Sequence, residues 1–217
     1  MNLIETVAVR RGQVQHEPYH LARMHLSAPG LPLPRLQELF DRAMPSADAH
    51  TLYKLRLLYN QKQLLRVQAE PYLLRKISRI MLCPIPDTLH YERKWADRQA
   101  LDAVAARARA PHTAVLMVQN GRITDTTYTN VYFKTKANAR PVTPDTPLLA
   151  GTMRAYLLDK GLLEAAPITV SDLANFTHIG LINAMIPLGT LELPIRALLP
   201  PGNTRSPLWP NPLDKPL

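Results

Sequence analysis

The chain has 217 residues, of which 46% are hydrophobic and 20% charged, so it holds enough apolar material for one large domain or two small lobes. Its 26 Lys and Arg outnumber its 17 Asp and Glu, which gives a formal net charge of +9. The basic residues are spread along the chain without a block, a zinc-finger spacing or an RNA-binding aromatic motif, so we expect anionic small molecules as ligands and no nucleic acid. Cys83 is the single cysteine and excludes an intrachain disulfide framework. Since no apolar run reaches the length of a membrane span and no secretory signal pattern opens the chain, the sequence predicts a cytoplasmic protein without a membrane partner.

Hydrophobic periodicity in the first part of the chain predicts a small lobe of strands and helices. Alternation of apolar and polar residues marks the strands, while Pro34 and the pair Pro29-Gly30 mark helix ends. The predicted elements in chain order are strands at 3–10 and just after Gly12, helices at 19–27 and 34–44, a hairpin of strands at 52–59 and 63–68, and a strand at 77–83. The prolines that follow open a linker, so we predict a small N-terminal α+β lobe at residues 1–86.

The second part of the chain predicts a larger lobe at residues 87–199. Apolar residues recur at helical spacing from about residue 97, and Gly161 stands where a helix commonly ends. The predicted elements are a helix from about 97, strands at 114–118 and 131–133, a helix at 151–160 and a strand at 179–183. The first two of these strands lie around an Asn120-Gly121 turn, with residues 122–125 between them. Residues 200–217 form a proline-rich tail that we expect to be disordered or held along the surface. The clustering of strands into hairpins favours a two-lobed α+β fold over a doubly wound sheet.

Several common kinds of functional site are not indicated. His16 and His20 have the i, i+4 spacing of a metal pair, but Pro18 lies between them, so solvated or capping histidines are the better interpretation. The chain has no P-loop, no dinucleotide-binding glycine fingerprint and no serine elbow of a hydrolase. Cys83 lies in an apolar strand, where a buried and inert thiol is expected. We therefore predict no metal site and no hydrolase triad.

Four segments carry residue types suited to anion binding or to covalent chemistry. Arg23 follows His20 within a short predicted helix, and Lys94 stands just before an amphipathic helix. Asp125 ends one strand, and the small residues at 148–154 precede a helix N-terminus, where backbone N–H groups favour an anion. Each feature alone has a simple structural explanation, such as a solvated lysine, a turn aspartate or a helix cap. Their order along the chain is more specific than any one of them.

In that order the segments resemble the class IV aminotransferase family, the fold-type IV enzymes that use pyridoxal 5'-phosphate (PLP). The family includes branched-chain and D-amino-acid aminotransferases and aminodeoxychorismate lyase. The matching segments are I-E-T near the start, H-L-x-R at 20–23, K-x-x-x-R at 94–98, I-T-D-x-x-x-x-N at 123–130, L-x-G-x-x-R at 149–154 and N-A-M-I-P at 183–187. The resemblance extends over roughly residues 3 to 195, nearly all of the chain outside the tail.

The resemblance implies a role for each matched residue. Lys94 would hold the cofactor covalently through its amine. Asp125 would face the pyridine nitrogen, at a position where the family more often has glutamate. The phosphate would be bound by a set of residues that offer an arginine fork and backbone donors, namely Arg23, Gly151, Thr152, Met153, Asn183 and Ala184. Arg56, on the predicted strand at 52–59, resembles family residues that meet a substrate carboxylate, with a solvated strand face as the equal alternative.

The expected fold is the two-lobed, D-amino-acid-aminotransferase-like fold with a reduced N-terminal lobe, because the chain starts almost at the I-E-T segment. The expected function is PLP-dependent transamination of a small amino acid or oxo acid by a homodimer. Two alternatives stay open at this stage. One is a 4-amino-4-deoxychorismate lyase, which uses the same cofactor chemistry, and the other is a degenerate member that binds an anionic ligand without turnover.

Overall fold

The first part of the chain forms an antiparallel sheet covered by two helices. The computed structural model describes residues 1–136 and 139–200. The sheet has the strand order β2-β1-β3-β4. Its elements are β1 (Leu3–Arg10), β2 (Gln13–Val14), α1 (Glu17–Ser27), α2 (Leu36–Ala43), β3 (Tyr53–Tyr59) and β4 (Leu64–Pro71). The predicted hairpin is thus present as β3 and β4, and the first predicted helix begins two residues earlier, at Glu17, with a proline in its first turn.

Strand alternation gives this sheet two different faces. On β3 the residues Tyr53, Leu55, Leu57 and Tyr59 are buried, and they pack with Leu3, Val7 and Val9 of β1 in a core beneath α1 and α2. The opposite face carries Lys54 and Arg56 on β3 and, across the pair, Thr6 on β1. Because side chains alternate along a strand, the packing of one face directs the polar set to the other.

The second part of the chain forms two further sheets, and one helix packs against each of them. One sheet has the order β13-β5-β6-β7 and the other the order β10-β9-β8-β11-β12. Their elements are β5 (Arg79–Pro84), α3 (Gln99–Ala105), β6 (Thr113–Gln119), β7 (Arg122–Thr126), β8 (Asn130–Lys134), β9 (Val142–Pro144), α4 (Thr152–Asp159), β10 (Glu164–Ala166), β11 (His178–Ile182), β12 (Glu192–Pro194) and β13 (Leu198–Leu199). The mixed α+β class expected from the sequence is confirmed.

Strand pairing differs from the sequence expectation around the Asn120-Gly121 turn. The turn joins β6 to β7, a strand formed by residues that the sequence placed only between two others, and β8 pairs with β9 and β11 in the other sheet. Asn120 and Gly121 both have positive φ, at 52° and 74°, as a tight hairpin turn requires. The sequence pattern located the turn correctly but assigned it the wrong partner strand.

The lobe boundary at residue 86 stays a prediction, as does the division at 87–199. Strand β5 pairs in parallel with β6, so the change from the first sheet to the next occurs between Pro71 and Arg79. A main-chain connection joins the two parts again further along, where Leu3 of β1 forms a bridge with Trp95. The predicted tail at 200–217 lies outside the described residues except for Pro200.

Candidate active site

A cavity of about 370 Å³ lies between the polar face of the first sheet and the second part of the chain. This volume falls in the range of about 300–1,000 Å³ that is typical of small-molecule sites. Most residues singled out from the sequence line it, namely Arg23, Arg56, Lys94, Asp125, Gly151, Thr152, Asn183 and Ala184. Met153 does not line it, because its side chain is 3% exposed and packs in the core with Tyr132 and Leu157. Any contact of Met153 with a ligand would therefore involve its backbone N–H.

Lys94 is fixed against the edge of β1. Its carbonyl oxygen accepts a hydrogen bond from the Ile4 N–H at 2.9 Å, and the next residue, Trp95, bridges to Leu3. Burial and the positive charge of Arg23 lower the pKa of Lys94 to about 8, against an opposing effect of Glu5. An amine with a pKa near 8 is neutral in about one molecule in ten at pH 7, and the neutral form is the one that attacks a carbonyl carbon.

Asp125 is a buried carboxyl on the same cavity, with 5% of its surface exposed. Its Oδ1 accepts from Asn130 Nδ2 at 2.7 Å and its Oδ2 accepts from the Leu149 N–H at 2.9 Å. Burial raises the pKa of Asp125 to about 7, although both hydrogen bonds favour the charged form. The carboxyl is therefore rigidly oriented and poised to share a proton with a basic group in the cavity.

Gly151 begins helix α4 and lies directly against Asn130. A Cβ atom at this position would lie 1.9 Å from Asn130 Oδ1, so no larger residue fits without a shift. Helix α4 has no side-chain cap at Gly151, and the backbone N–H groups of its first turn lack a cap acceptor. Together with the helix dipole, this turn is suited to bind an anion at Gly151 and Thr152.

A second turn, at Asn183 and Ala184, also lines the cavity. Asn183 Oδ1 accepts from the backbone N–H groups of Met185 and Ile186 at 2.9 and 3.0 Å, and its Nδ2 donates to the Tyr128 carbonyl at 3.2 Å. Asn183 thereby orders its own turn and attaches it to the loop that follows Asp125. The Asn183 side chain is thus hydrogen-bonded within the protein. A ligand in the cavity would contact the backbone of this turn.

Arg23 reaches the cavity from α1 and is held by a buried carboxylate. Its Nε donates to Glu5 Oε2 at 3.1 Å, its Nη2 pairs with Glu5 Oε1, and its Nη1 donates to the Ala150 carbonyl at 3.4 Å. Burial opposes ionisation of Glu5, but Arg23 and a hydrogen bond with His20 outweigh it and lower the pKa of that carboxyl below its usual value. Arg23 is thus a fixed cation next to the α4 turn.

Sequence reasoning gave no role to Arg98, which links two functional segments. Arg98 Nη2 donates to the Thr127 carbonyl at 2.7 Å, and its Nη1 donates to Tyr91 Oη at 3.4 Å. It therefore ties the segment that carries Lys94 to the loop after Asp125. The K-x-x-x-R spacing was the available signal, but the partner is a main-chain carbonyl that no sequence motif specifies.

Several basic side chains line the cavity. Arg56 and Arg75 line it and form no ion pair with any residue in the described ranges, whereas Lys54 pairs with Glu70. The Arg75 guanidinium lies 5.8 Å from the ring centroid of Tyr128, a cation–π distance. This charge distribution suits an anionic ligand. In the described part of the chain no group of three or more His, Cys, Asp or Glu side chains could hold a metal ion, and no helix there is long and apolar enough to cross a membrane.

Comparison with known proteins identifies the family. The model of amino-transferase class IV matches residues 2–192. An uncharacterized protein of Haemophilus influenzae strain Rd is 31% identical over 187 residues, which cover 84% of this chain and 97% of the relative. A crystal structure provisionally named 4-amino-4-deoxychorismate lyase, from Haemophilus somnus 129PT, superposes with a TM-score of 0.74 at 28% identity, covering 86% of this chain and 97% of that one. A hypothetical aminotransferase from Mycobacterium tuberculosis in a PLP-bound form has a TM-score of 0.70 at 21% identity, covering 95% and 84%.

The chain belongs to the class IV aminotransferase family, and it is accordingly a PLP-dependent enzyme. The cavity fits that cofactor on its own chemistry. A lysine of pKa about 8 and a buried carboxyl of pKa about 7 line one space, and the α4 turn beside Arg23 is suited to a phosphate dianion. Gly151 has no side chain to cover the backbone of this turn, and a Cβ there would clash with Asn130.

Proposed function

We propose that the protein is an aminotransferase of a small amino acid or oxo acid, with Lys94 as the residue that binds PLP. The observation that carries the proposal is the convergence of Lys94, Asp125, Arg23 and the Gly151 turn on one cavity. The cavity offers a lysine with a lowered pKa, a carboxyl suited to a ring nitrogen, an arginine suited to a phosphate, and further cations in its lining. A purely structural cavity would not need this set.

PLP bound in this cavity would supply an electron-accepting ring for the electron pair left when a bond to the substrate Cα breaks. Lys94, once the substrate amine has taken its place, would accept the Cα proton on Nζ and return it at another carbon. Asp125 would keep the proton of the ring nitrogen, for which its orientation by Asn130 and Leu149 is suited. Arg23, Gly151, Thr152, the Met153 N–H, Asn183 and Ala184 would bind the phosphate.

Arg56 is our candidate for the substrate carboxylate. It lines the cavity from β3, on the face opposite the buried core, and forms no ion pair within the described ranges. A guanidinium in that position can accept a carboxylate in a two-point hydrogen-bonded pair. The same argument applies to an amino acid donor and an oxo acid acceptor, since both carry that group.

A single-turnover experiment tests the proposed reaction. The PLP-loaded protein is mixed with one amino acid at a time from a panel. Mass spectrometry then measures how many equivalents of the matching oxo acid are released per site. Transamination predicts one equivalent of oxo acid and recovery of the starting absorption spectrum after an added oxo acid. If no donor in the panel yields oxo acid above the Lys94→Ala background, the aminotransferase assignment is wrong.

The second candidate is 4-amino-4-deoxychorismate lyase, and the likeness to the Haemophilus somnus structure of that provisional name favours it. The lyase would use the same lysine and the same cofactor site, but would release pyruvate from the substrate. Pyruvate formation from 4-amino-4-deoxychorismate, coupled to lactate dehydrogenase, separates the two reactions. Continuous pyruvate release without an added amino donor supports the lyase and contradicts the aminotransferase.

Two further expectations accompany the proposal. Family analogy supports a homodimer, which light scattering behind a sizing column would test. The single cysteine supports a reducing compartment, and we propose the cytoplasm on that basis. Neither expectation bears on the assignment of Lys94.

A further inference from the structure

Arg75 is a basic side chain of the cavity to which the proposed reaction gives no role. The basic side chains in the lining are Arg23, Lys54, Arg56, Arg75, Lys94 and Arg98. Within the described ranges, ion pairs with carboxylates are formed by Arg23, Lys54 and Arg98. Lys94 is assigned to the cofactor and Arg56 to the substrate carboxylate. Arg75 is thus left without a carboxylate of the protein and without a ligand of the proposed reaction.

The chain around Arg75 is held in place although it has no regular secondary structure. On one side, the Tyr72 N–H donates to the Leu52 carbonyl at 2.8 Å, and the Tyr72 ring packs against the core of the second part of the chain. On the other side, the Ser78 N–H donates to the His112 carbonyl at 2.9 Å. Arg75 therefore extends from a segment that is attached to the fold at both ends.

The ring of Tyr128 positions the Arg75 guanidinium. The guanidinium carbon lies 5.8 Å from the ring centroid, and both side chains line the cavity. Tyr128 is itself fixed, because its carbonyl accepts a hydrogen bond from Asn183 Nδ2 at 3.2 Å and it follows Asp125 by three residues. A guanidinium held over a ring keeps its N–H donors at the edge of its plane, where a carboxylate can accept two of them.

We propose that Arg75 is a specificity-determining residue that binds a second anionic group of the substrate, with Tyr128 as its positioning residue. One carboxylate of the substrate pairs with Arg56, and the second pairs with Arg75. A substrate with a single carboxylate would leave one guanidinium of the lining without a counter-charge, whereas a dicarboxylate pairs with both. The substrate class is therefore an amino acid with a second carboxylate, together with the matching oxo acid. The inference rests on the proposed function in taking this cavity as the amino acid site.

The exposure of Arg75 sets the size of the expected effect. Water screens its pair with a carboxylate, so we expect a dicarboxylate to bind about fivefold more tightly than its monoamide. The monoamide keeps the shape of the ligand and removes one charge. Arg75→Gln should reduce this preference to within about twofold, because the glutamine side chain can donate a hydrogen bond but carries no charge.

The test is isothermal titration calorimetry on the PLP-loaded full-length protein. The probes are succinate, glutarate and adipate, each compared with its own monoamide, so that chain length and charge vary independently. Lys76→Gln is the matched control, since Lys76 is exposed and is not among the residues that line the cavity. It removes the same charge from the same segment and should keep the wild-type preference.

Two variants of Tyr128 test its positioning role. Tyr128→Phe keeps the aromatic ring beneath Arg75 and should keep the preference for the dicarboxylate. Tyr128→Leu removes the ring and should lower the preference to that of Arg75→Gln. Equal preferences in the two Tyr128 variants would refute the positioning role.

Several results would overturn the role of Arg75. They are a wild type that binds no dicarboxylate more tightly than its monoamide, a preference that persists in Arg75→Gln, and a preference that disappears in Lys76→Gln. Weaker PLP binding by Arg75→Gln with an unchanged preference would also overturn it and would assign Arg75 to the phosphate. Both arginine and lysine variants change exposed side chains, so both should fold.

Calorimetry involves no turnover, so this outcome is separate from that of the proposed function. Oxo acid formed from monocarboxylic donors alone would uphold the aminotransferase and contradict the second anionic group. A dicarboxylate preference that depends on Arg75, without oxo acid from any donor, would uphold the role of Arg75 and contradict the aminotransferase.

Discussion

The contact between Gly151 and Asn130 gives the sharpest prediction about the cofactor site. An alanine Cβ at residue 151 would lie 1.9 Å from Asn130 Oδ1 and 3.1 Å from Asn130 Cγ. Asn130 cannot swing away freely, because it is 6% exposed and its Nδ2 donates to Asp125 and to the Leu149 carbonyl. Overpacking of this kind costs about 1–3 kcal/mol. We take about 2 kcal/mol, which lowers the Tm of a chain of this size by roughly 4–8 °C.

Thermal unfolding and PLP titration of Gly151→Ala measure the two consequences separately. We expect the loss of stability together with PLP affinity at least about tenfold weaker, since the α4 turn and Asp125 both shift. Gly30→Ala is the neutral control, because its nearest atom would be the Gln61 carbonyl oxygen at 4.0 Å. Gly180→Ala is the control for overpacking alone, because its Cβ would lie 2.0 Å from the Tyr132 ring, which is outside the cavity. Gly151→Ala with the stability and PLP affinity of Gly30→Ala would refute this account of the turn.

Three further predictions concern the cavity. Burial raises the pKa of Asp125 from 3.8 to about 7, so the folded state binds this proton more tightly than the unfolded state. Its contribution to the free energy of unfolding therefore falls as the pH rises between those values. Urea unfolding of cofactor-free Asp125→Asn over a pH series should lack that decline, and a pH slope equal to that of the wild type would contradict the prediction. Arg56→Gln should raise the KM for carboxylate substrates about tenfold or more in steady-state assays. Arg66→Gln, on the exposed strand β4, is the control and should leave KM unchanged. Equal KM values in the two variants would remove Arg56 from the substrate site. The buried Tyr128 hydroxyl has no hydrogen-bond partner within the described ranges. Tyr128→Phe should therefore leave the free energy of unfolding of the cofactor-free protein in urea unchanged or raise it. A fall of more than about 1 kcal/mol would show that the hydroxyl has a partner.

Local patterns predicted most elements of the fold. The periodicity of residues 3–10 and 52–59 and the glycine stop at Gly161, with φ 64°, correspond to β1, β3 and the end of α4. The short strands β9, β10, β12 and β13 were not predicted, since each has two or three residues and depends on a partner distant in sequence. The partner of β8 was wrong for the same reason, because pairing is decided by packing between sheets and the turn signal is local.

The candidate site was predictable in its residues but not in its supporting contacts. Ordered motifs identified Lys94, Asp125 and Arg23, and the cavity brings them together. Met153 was chosen for its backbone, and periodicity could not show that its side chain lies in the core. Glu5 lay within a quoted motif without a role, because only the packing of α1 on β1 reveals that its carboxylate holds Arg23.

Borohydride trapping tests the central claim most directly. Purified protein is incubated with PLP, its near-visible absorption is recorded before and after borohydride, and the modified residue is located by peptide mass spectrometry. Lys94→Ala is compared with Lys54→Ala, since Lys54 lines the same cavity but pairs with Glu70. The account predicts that borohydride fixes the cofactor to Lys94 in the wild type and in Lys54→Ala, and that Lys94→Ala takes none. Attachment to another lysine, or no attachment in the wild type, would contradict it.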